Sequence, residues 1–386
     1  MSGVLLLSCL WALAAALFSA VALLRLRAQA SGARAPGEPP PVLLLRPVDA
    51  PTPAELRALV HPVDYAGALE QVVLSPEPPG VPLPQGMRWL ASEPLTPNRK
   101  VGHLQHALRV LRPSSDGGRV VLAVDADVAV TGALVEALAR PVAAGAPLCS
   151  AAWTPVAAAG PRGVGGLALE GLLRHTHHSF HALHAMSAGA PAISGKALAL
   201  SPEAMALLPG LGEHIGEDLE LSSRLHARGL RPALAPAVAR VPLLDPLALR
   251  PALARISRWM QVLRSHRPAL YPTVPLLFAP TPVLLLLALL LDAAPLWLAL
   301  LPLGAVRCAL SLRLGQLSGE GERGGMRAFG WLAGEGLLLA AFVDSLLRGG
   351  RVTWRGRRFQ LSAGGRMRPL ATGAPEAAHA PVGDAR

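Results

Sequence analysis

Two aspartates one residue apart, Asp125 and Asp127, close the apolar run VVLAV (120–124) as D-A-D. Apolar strands seldom carry unpaired acids, so a carboxylate pair at the end of one asks for a partner. Open α/β sheets bind ligands at the C-terminal edge of their strands. At such an edge one acid can hold a hard divalent cation, Mg2+ or Mn2+. Alternation along the chain aims the other at sugar or phosphate hydroxyls. A cation there would neutralise a pyrophosphate. The plainer alternative is a turn in which an Asp caps the helix that begins near Gly132.

Three further groups of residues could work with this pair. Asp218 lies in GEDLELSSRLHARG (216–229), at the start of an amphipathic helix, where the helix dipole favours negative charge. An ordinary capping role is the alternative. In ARISRWMQVLRSHRP (254–268), Arg255, Arg258 and Trp259 have i, i+3, i+4 spacing and share one helix face. Ile256, Met260 and Leu263 form a separate apolar stripe. Two guanidiniums beside an indole suit a pyrophosphate. A basic cluster flanking a membrane segment is the competing explanation, and it accounts for Arg264 and Arg267. Lysine occurs only at Lys100 and Lys196, in the short polar stretches TPNRK and ISGK. Both stretches read as loops at the edge of the same sheet, where a compact ammonium would serve.

The elements that must position these residues are legible from periodicity. VLLLR (42–46), EQVVL (70–74) and RVVLAV (119–124) read as strands. VGHLQHALRVL (101–111) and GALVEALA (132–139) read as helices. This alternation predicts an α/β domain with a mostly parallel sheet. Apolar segments flank it: Val4–Leu24 before, then Val274–Leu291, Pro295–Leu312 and Ala328–Leu347 after, each of membrane-relevant length. Pro275, Pro280 and Pro282 in the first of the later three, and Arg307 in the second, predict kinked or re-entrant segments. Arg25, Arg27 and Arg34 follow the first segment and no Lys or Arg precedes it, which puts the following domain in the cytoplasm.

Composition agrees with a membrane protein. The chain has 386 residues, 52% of them hydrophobic, and a mean hydropathy of +0.40. A net charge of +11 with only 4% aromatics points to an anionic membrane or phosphorylated substrates. Nucleic acid is disfavoured, because stacking platforms are absent. Three cysteines without metal-ligand spacing exclude a disulfide framework or zinc site.

Taken in order, D-A-D, S-G-K, G-E-D-L-E-L and R-I-S-R-W ahead of a membrane hairpin resemble the ceramide glucosyltransferase family, a membrane-bound group similar to glycosyltransferase family 21. P-N-R-K-V-G-H-L resembles that family's N-P-K-x-x-N-L segment, and V-T-W-R-G-R-R-F its basic C-terminal tryptophan segment. R-x-x-R-W is the most specific element, shared with the wider set of membrane-bound inverting transferases. The resemblance spans about residues 42 to 360.

The resemblance implies an α/β GT-A domain, the nucleotide-diphospho-sugar transferase fold, with N-terminal and C-terminal α-helical membrane segments. It implies a nucleotide-sugar donor such as UDP-glucose and a lipid acceptor such as ceramide. Asp125 and Asp127 then correspond to the metal and donor-diphosphate motif, with Lys100 and Lys196 near the phosphates. Asp218 corresponds to the general base, and Arg255, Arg258 and Trp259 to the donor and acceptor clamp. The family's earlier nucleotide-contacting aspartate has no clear counterpart between Pro76 and Pro97, where Glu93 is the nearest acid. RHTHHSFHALH (174–184), with His178, His181 and His184 three apart, is expected to line the acceptor cleft rather than bind metal.

The expected domains are an anchor (1–27), a linker (28–41), the GT-A domain (42–268), membrane segments (269–347), and a basic segment with a disordered tail (348–386). The expected location is the inner (plasma) membrane, multi-pass, with the catalytic domain cytoplasmic. A hopanoid or glycerolipid acceptor, a polysaccharide synthase and a non-catalytic membrane protein are the alternatives. For the basic stretch after Arg348 to be cytoplasmic as well, one of the three later segments must fail to span. Ala328–Leu347 is the first choice, because it carries Glu335 and several glycines, and the proline-containing Val274 segment is the second.

Overall fold

A computed structural model describes residues 2–30, 37–49, 51–112, 118–157, 163–175, 177–243, 248–317, 326–354 and 356–370. Arg34, part of the expected linker and the tail beyond residue 370 lie outside the described residues.

The chain opens with α1 (Ser2–Ala30), followed by β1 (Val42–Pro47), α2 (Pro53–Leu59), β2 (Leu69–Ser75), β3 (Met87–Ala91), α3 (Arg99–Leu111), β4 (Val120–Val124) and α4 (Gly132–Ala143). Then come β5 (Leu148–Ser150), β6 (Trp153–Ala157), α5 (Gly163–His175), a π-helical turn (His178–Leu183) and α6 (His184–Met186). β7 (Ala197–Leu200), α7 (Pro202–Met205), α8 (Glu217–His226), β8 (Ala233–Leu234), β9 (Ala239–Leu243) and α9 (Leu249–His266) complete the globular part. The expected strands and helices are all present, with ends shifted by a few residues.

The main sheet has seven strands in the order β3-β2-β1-β4-β7-β5-β8. Its first four strands are parallel, and β5 is parallel to β8. β7 runs antiparallel to β4 and to β5, so the sheet is mixed. That reversal matters for the site. It pairs Val124, the last residue of β4, with Ala197, the first of β7. Lys196 therefore emerges at the same edge as Asp125.

Side chains alternate across the strands, and the sheet carries a core on each face. Leu43, Leu45, Val121 and Ala123 pack with Val101 and Leu104 of α3 and Leu221 and Leu225 of α8. Val42, Leu44, Leu122 and Val124 pack toward α4, α5 and α9, and this second core continues into Phe18, Phe278 and Leu310 of the membrane-side helices. Each such side chain stabilises the fold by roughly 1.5–3 kcal/mol. The sheet domain and the long apolar helices therefore share one interior.

Among the described residues three helices are long and apolar enough to cross a membrane: Ser2–Ala28 within α1, α11 (Ala294–Leu317) and α12 (Gly330–Leu347). The Val274 segment is broken. It forms a π-helical turn (Val274–Phe278) and the short α10 (Thr281–Leu291). Asp292, at φ 43°, turns the chain from α10 into α11. Ala12, Ala15 and Ala16 of α1 pack against Leu284 and Ala288 of α10 and Leu296, Leu300 and Leu303 of α11. α12 packs instead on α5 and α9. A Cβ on Gly171 of α5 would stand 2.0 Å from the Gly330 carbonyl oxygen, so glycine is what permits that approach.

The isolated Arg307 and Glu335 of the apolar segments are partners in a fully buried ion pair. Arg307 also donates to the carbonyls of Leu277 and Phe278, and Glu335 accepts from the backbone N–H and hydroxyl of Thr281. One node thus ties α10, α11, α12 and the π turn together. Removing either charge would cost about 3–5 kcal/mol.

After α12 the chain forms an antiparallel sheet of β10 (Arg351–Trp354), β11 (Arg357–Leu361) and β12 (Met367–Pro369). The expectation of a disordered tail directly after the basic stretch is corrected here. Gly364 and Gly365, at φ 71° and 70°, let the chain turn back and pair as far as Pro369.

Candidate active site

The site is assembled at the edge where β1, β4 and β7 meet the start of α8. Asp125 follows β4 directly, and its N–H donates to the Lys196 carbonyl at 2.9 Å. The buried Arg46, at the end of β1, donates to the carbonyls of Asp125, Ala126 and Val128 at 3.0–3.3 Å and holds the D-A-D loop in shape. Burial lowers the Arg46 pKa to about 10, while Asp127 and Asp125 work to keep it charged. The helix near Gly132 is capped by Thr131, so neither aspartate serves as its cap.

Two ammoniums bracket the carboxylates. Lys196 Nζ lies 2.6 Å from Asp127 and 3.1 Å from Asp125. Lys100 Nζ lies 2.7 Å from Asp125 and 3.0 Å from Glu217, and donates to the Gly195 carbonyl. Burial alone would raise the Asp125 pKa. Lys100 and Lys196 outweigh it and hold the carboxyl at about 2. Burial would likewise neutralise the lysines, but their acidic partners raise both pKa values instead. Lys100, Asp125 and Lys196 are therefore charged at neutral pH.

Asp218 is in the opposite condition. It sits on the first turn of α8, and its Oδ2 accepts from the Gly195 N–H at 3.0 Å. A Cβ on Gly195 would come within 3.2 Å of that oxygen, which explains the glycine of S-G-K. Burial, then the neighbouring Glu217, push the Asp218 pKa up to about 6 against the pull of Lys100 and two backbone N–H groups. The N-cap position of α8 is Gly216, and Asp218 lies two residues inside it, so Asp218 is not the N-cap of its helix.

Two cavities meet at this cluster and share Lys100, Asp125, Lys196, Glu217 and Trp354. One, of about 540 Å³, is polar. Five carboxylates line it (Asp49, Glu55, Asp125, Asp127, Glu217) against four basic side chains (Arg99, Lys100, Lys196, Arg357). The other, of about 400 Å³, is mostly apolar and includes Asp218, Arg258, Trp259 and, from the π turn, Ser179, Phe180 and Leu183. A smaller apolar pocket of about 110 Å³ lies beyond it, between Trp259, Leu263, Phe278 and Leu338.

Of the α9 residues, Arg258 and Trp259 face the apolar cavity. Arg255 lines neither cavity. Its guanidinium lies 5.5 Å from the Trp259 ring centre, burial lowers its pKa, and Asp127 opposes that shift. Ile256 and Met260 are buried, and Met260 lines the apolar cavity beside Trp259. Among the described histidines of 174–184, His177, His178 and His181 are buried, and the apolar cavity is lined by their neighbours Ser179, Phe180 and Leu183. His178 bonds Ser19 of α1, and burial lowers the His181 pKa to about 3. Among the described residues no group of three or more His, Cys, Asp or Glu is disposed to hold a metal.

Sequence reasoning missed several residues of this site. Asp49, just past β1, lines the polar cavity, pairs with Arg99 at 2.6 Å and lies 3.6 Å from His103. Between Pro76 and Pro97 there is no clear counterpart of the family's early aspartate, and Asp49 lies ahead of that stretch. Glu93 is exposed and outside the cavity. The available signal was an acid immediately beyond the first apolar strand. Asn98 was missed too; its amide nitrogen donates to Glu217 at 3.0 Å and to the His214 carbonyl.

An acid of raised pKa beside a lysine-lined polar cavity suits transfer of a group from an anionic activated donor, and the chain is a glycosyltransferase. It belongs to glycosyl transferase family 21, the ceramide glucosyltransferase family, whose model matches residues 88–367. Among solved structures it is similar to the mannosyltransferase PcManGT from Pyrobaculum calidifontis in complex with GDP-Man and Mn2+. The identity is 18% and the TM-score 0.40, over 88% of this chain and 99% of that one. It is also similar to a mycobacterial protein, at 16% identity and TM-score 0.33, over 63% of this chain and 78% of that one. No curated protein matches the chain.

Proposed function

We propose that the protein transfers a hexose, with inversion, from a nucleotide-diphosphate sugar such as UDP-glucose to the hydroxyl of a membrane lipid such as ceramide. The observation that carries this is the position of Asp218, on the apolar cavity where it joins the polar one. A donor in the polar cavity and a lipid hydroxyl in the apolar one meet beside its carboxylate.

Asp218 takes the proton of the hydroxyl as the oxygen attacks the anomeric carbon and the bond to the diphosphate breaks. A pKa near 6 keeps it mostly ionised at neutral pH, yet more basic than an ordinary carboxylate. Lys100 and Lys196 hold positive charge where the nucleoside diphosphate leaves. Arg258 and Trp259 border the path of the acceptor. Asp49 is placed to receive ribose or base hydrogen bonds.

The polar cavity carries more acids than bases, so a diphosphate entering it needs additional positive charge. Asp125 and Asp127 offer hard oxygen ligands and fit Mg2+ or Mn2+. When bound, such an ion supplies Lewis-acid stabilisation of the departing diphosphate.

The same architecture supports a multi-pass protein of the inner membrane with a cytoplasmic catalytic domain. Arg25 and Arg27 end the first apolar helix on the side of the domain. The C-terminal sheet is bonded to that domain through the bridge between His214 and Arg366, so both lie on one side. Two crossings between Pro268 and Arg348 satisfy this. α11 and α12, both long and apolar enough to cross, supply them. The expectation that Ala328–Leu347 fails to span therefore gives way to the second candidate: the Val274 segment, broken by its π turn and left with the 11-residue α10, is the one too short to cross. The domains follow as an anchor (1–27), a linker (28–41), the catalytic domain (42–268) and the membrane segments (269–347). The test of the whole reading is lipid mass spectrometry of a host expressing the chain, where a new hexosylated lipid is expected. Its absence, together with no donor turnover by the purified protein, would contradict the reading.

A further inference from the structure

The C-terminal sheet reaches the polar cavity from the far end of the chain. Gly349 and Gly350, at φ 59° and 80°, turn the backbone out of α12 into β10. Val352, Phe359, Leu361 and Met367 form a small core that takes in Ile215 and Val262. Ile215 donates its N–H to the Gly365 carbonyl at 3.0 Å, and His214 Nδ1 lies 2.6 Å from the Gly364 carbonyl oxygen. A Cβ at Gly365 would fall 1.9 Å from His266 Nε2, so only glycine fits this contact. The sheet is therefore fixed to the segment that leads directly into Glu217 and Asp218.

One face of its hairpin is turned inward. Trp354 pairs across the strands with Arg357, and Val352 with Phe359. Two-residue alternation puts these four side chains on one face. Trp354, Arg357 and Phe359 line the polar cavity, and Trp354 also borders the apolar one. The other bases of the polar cavity are engaged: Arg99 with Asp49, Lys100 with Asp125 and Glu217, Lys196 with Asp125 and Asp127. Arg357 is exposed at the cavity and makes no ion pair among the described residues. Arg368, on the outer strand of the same sheet, lines neither cavity.

We infer that Arg357 is a donor-binding residue. Its guanidinium receives the diphosphate of a nucleoside diphosphate or its sugar ester, and Trp354 forms the wall between donor and acceptor. This rests on the nucleotide-sugar reading above. It adds that the donor cavity is complete only when the segment after the last membrane-side helix is seated.

The test uses the purified full-length chain in detergent and calorimetric titration with UDP and with GDP, each with Mn2+. Arg357→Gln, which keeps length and hairpin compatibility but removes the charge, is expected to weaken binding about tenfold or more. Arg357→Lys should recover part of the loss, and Arg368→Ala should bind like the wild type. A purely structural role for Arg357 would lower the melting temperature of the Gln and Lys variants alike without separating their affinities. Unchanged affinity in Arg357→Gln, with the wild type binding normally, overturns this inference alone. A wild type that binds neither nucleotide removes the donor reading itself, and this inference with it.

Discussion

Asp125 and Asp218 are the same residue type, both half-buried in one cleft and both near Lys100, yet they are driven in opposite directions. Asp125 has two ammoniums within 3.1 Å and is held at about 2. Asp218 has backbone N–H donors, an acidic neighbour and apolar surroundings, and rises to about 6. The burial penalty acts on both, and the number of direct cationic partners decides the outcome. The cleft is thereby divided. One end keeps fixed charge, and the other keeps a carboxylate of raised pKa beside an apolar cavity. An acid that must accept a proton cannot also be locked in an ion pair.

The sharpest way to break the comparison is Asp218→Asn. The amide keeps the size and the bond from Gly195 but cannot take a proton. Turnover should fall by about a thousandfold or more, while nucleotide affinity measured by titration stays near that of the wild type. Near-normal turnover would reduce Asp218 to a structural residue. At the other end, Asp127→Ala should lower turnover by roughly a hundredfold and weaken donor binding, with the melting temperature little changed. Excess chelator should act in the same direction on the wild type, and full activity in chelator would remove the metal role.

A finer probe is the acid limb of the pH–rate profile. Asp218 must be ionised to act, so kcat should rise with pH through about 6. Glu217 raises the Asp218 pKa, so Glu217→Gln should move the limb to lower pH. A limb that stays put, or moves up, would assign it to another group. The same shift has a cost in stability. An acid whose folded pKa is raised favours its protonated form, so its contribution to stability is lost as pH rises through about 6.

What the sequence disclosed follows from where the information sits. Asp125, Asp127, Asp218, Arg258 and Trp259 were legible because each lies in a short motif whose local periodicity says which edge or face it occupies. Lys100 and Lys196 stood out only as the two lysines among many arginines, and pairing with the acids explains them. Arg46 was not legible, since its acceptors come from a loop about eighty residues away. Arg307 and Glu335 each looked like a lone charge in an apolar helix, and only tertiary packing makes them partners. The C-terminal sheet was hidden because its order depends on docking against Ile215 and Val262. That docking also bears on topology. Ser362, replaced by Cys in intact cells, should resist an impermeant thiol reagent added from outside. Strong labelling would mean an odd number of crossings between the catalytic domain and the sheet.

The central claim is that donor and lipid hydroxyl meet at Asp218. Its most direct test is mass spectrometry of the lipids from two host cultures, one expressing the wild-type chain and one Asp218→Asn at equal protein level. The account predicts a hexosylated lipid with the first and none above background with the second. Equal amounts of that lipid in both cultures would contradict it.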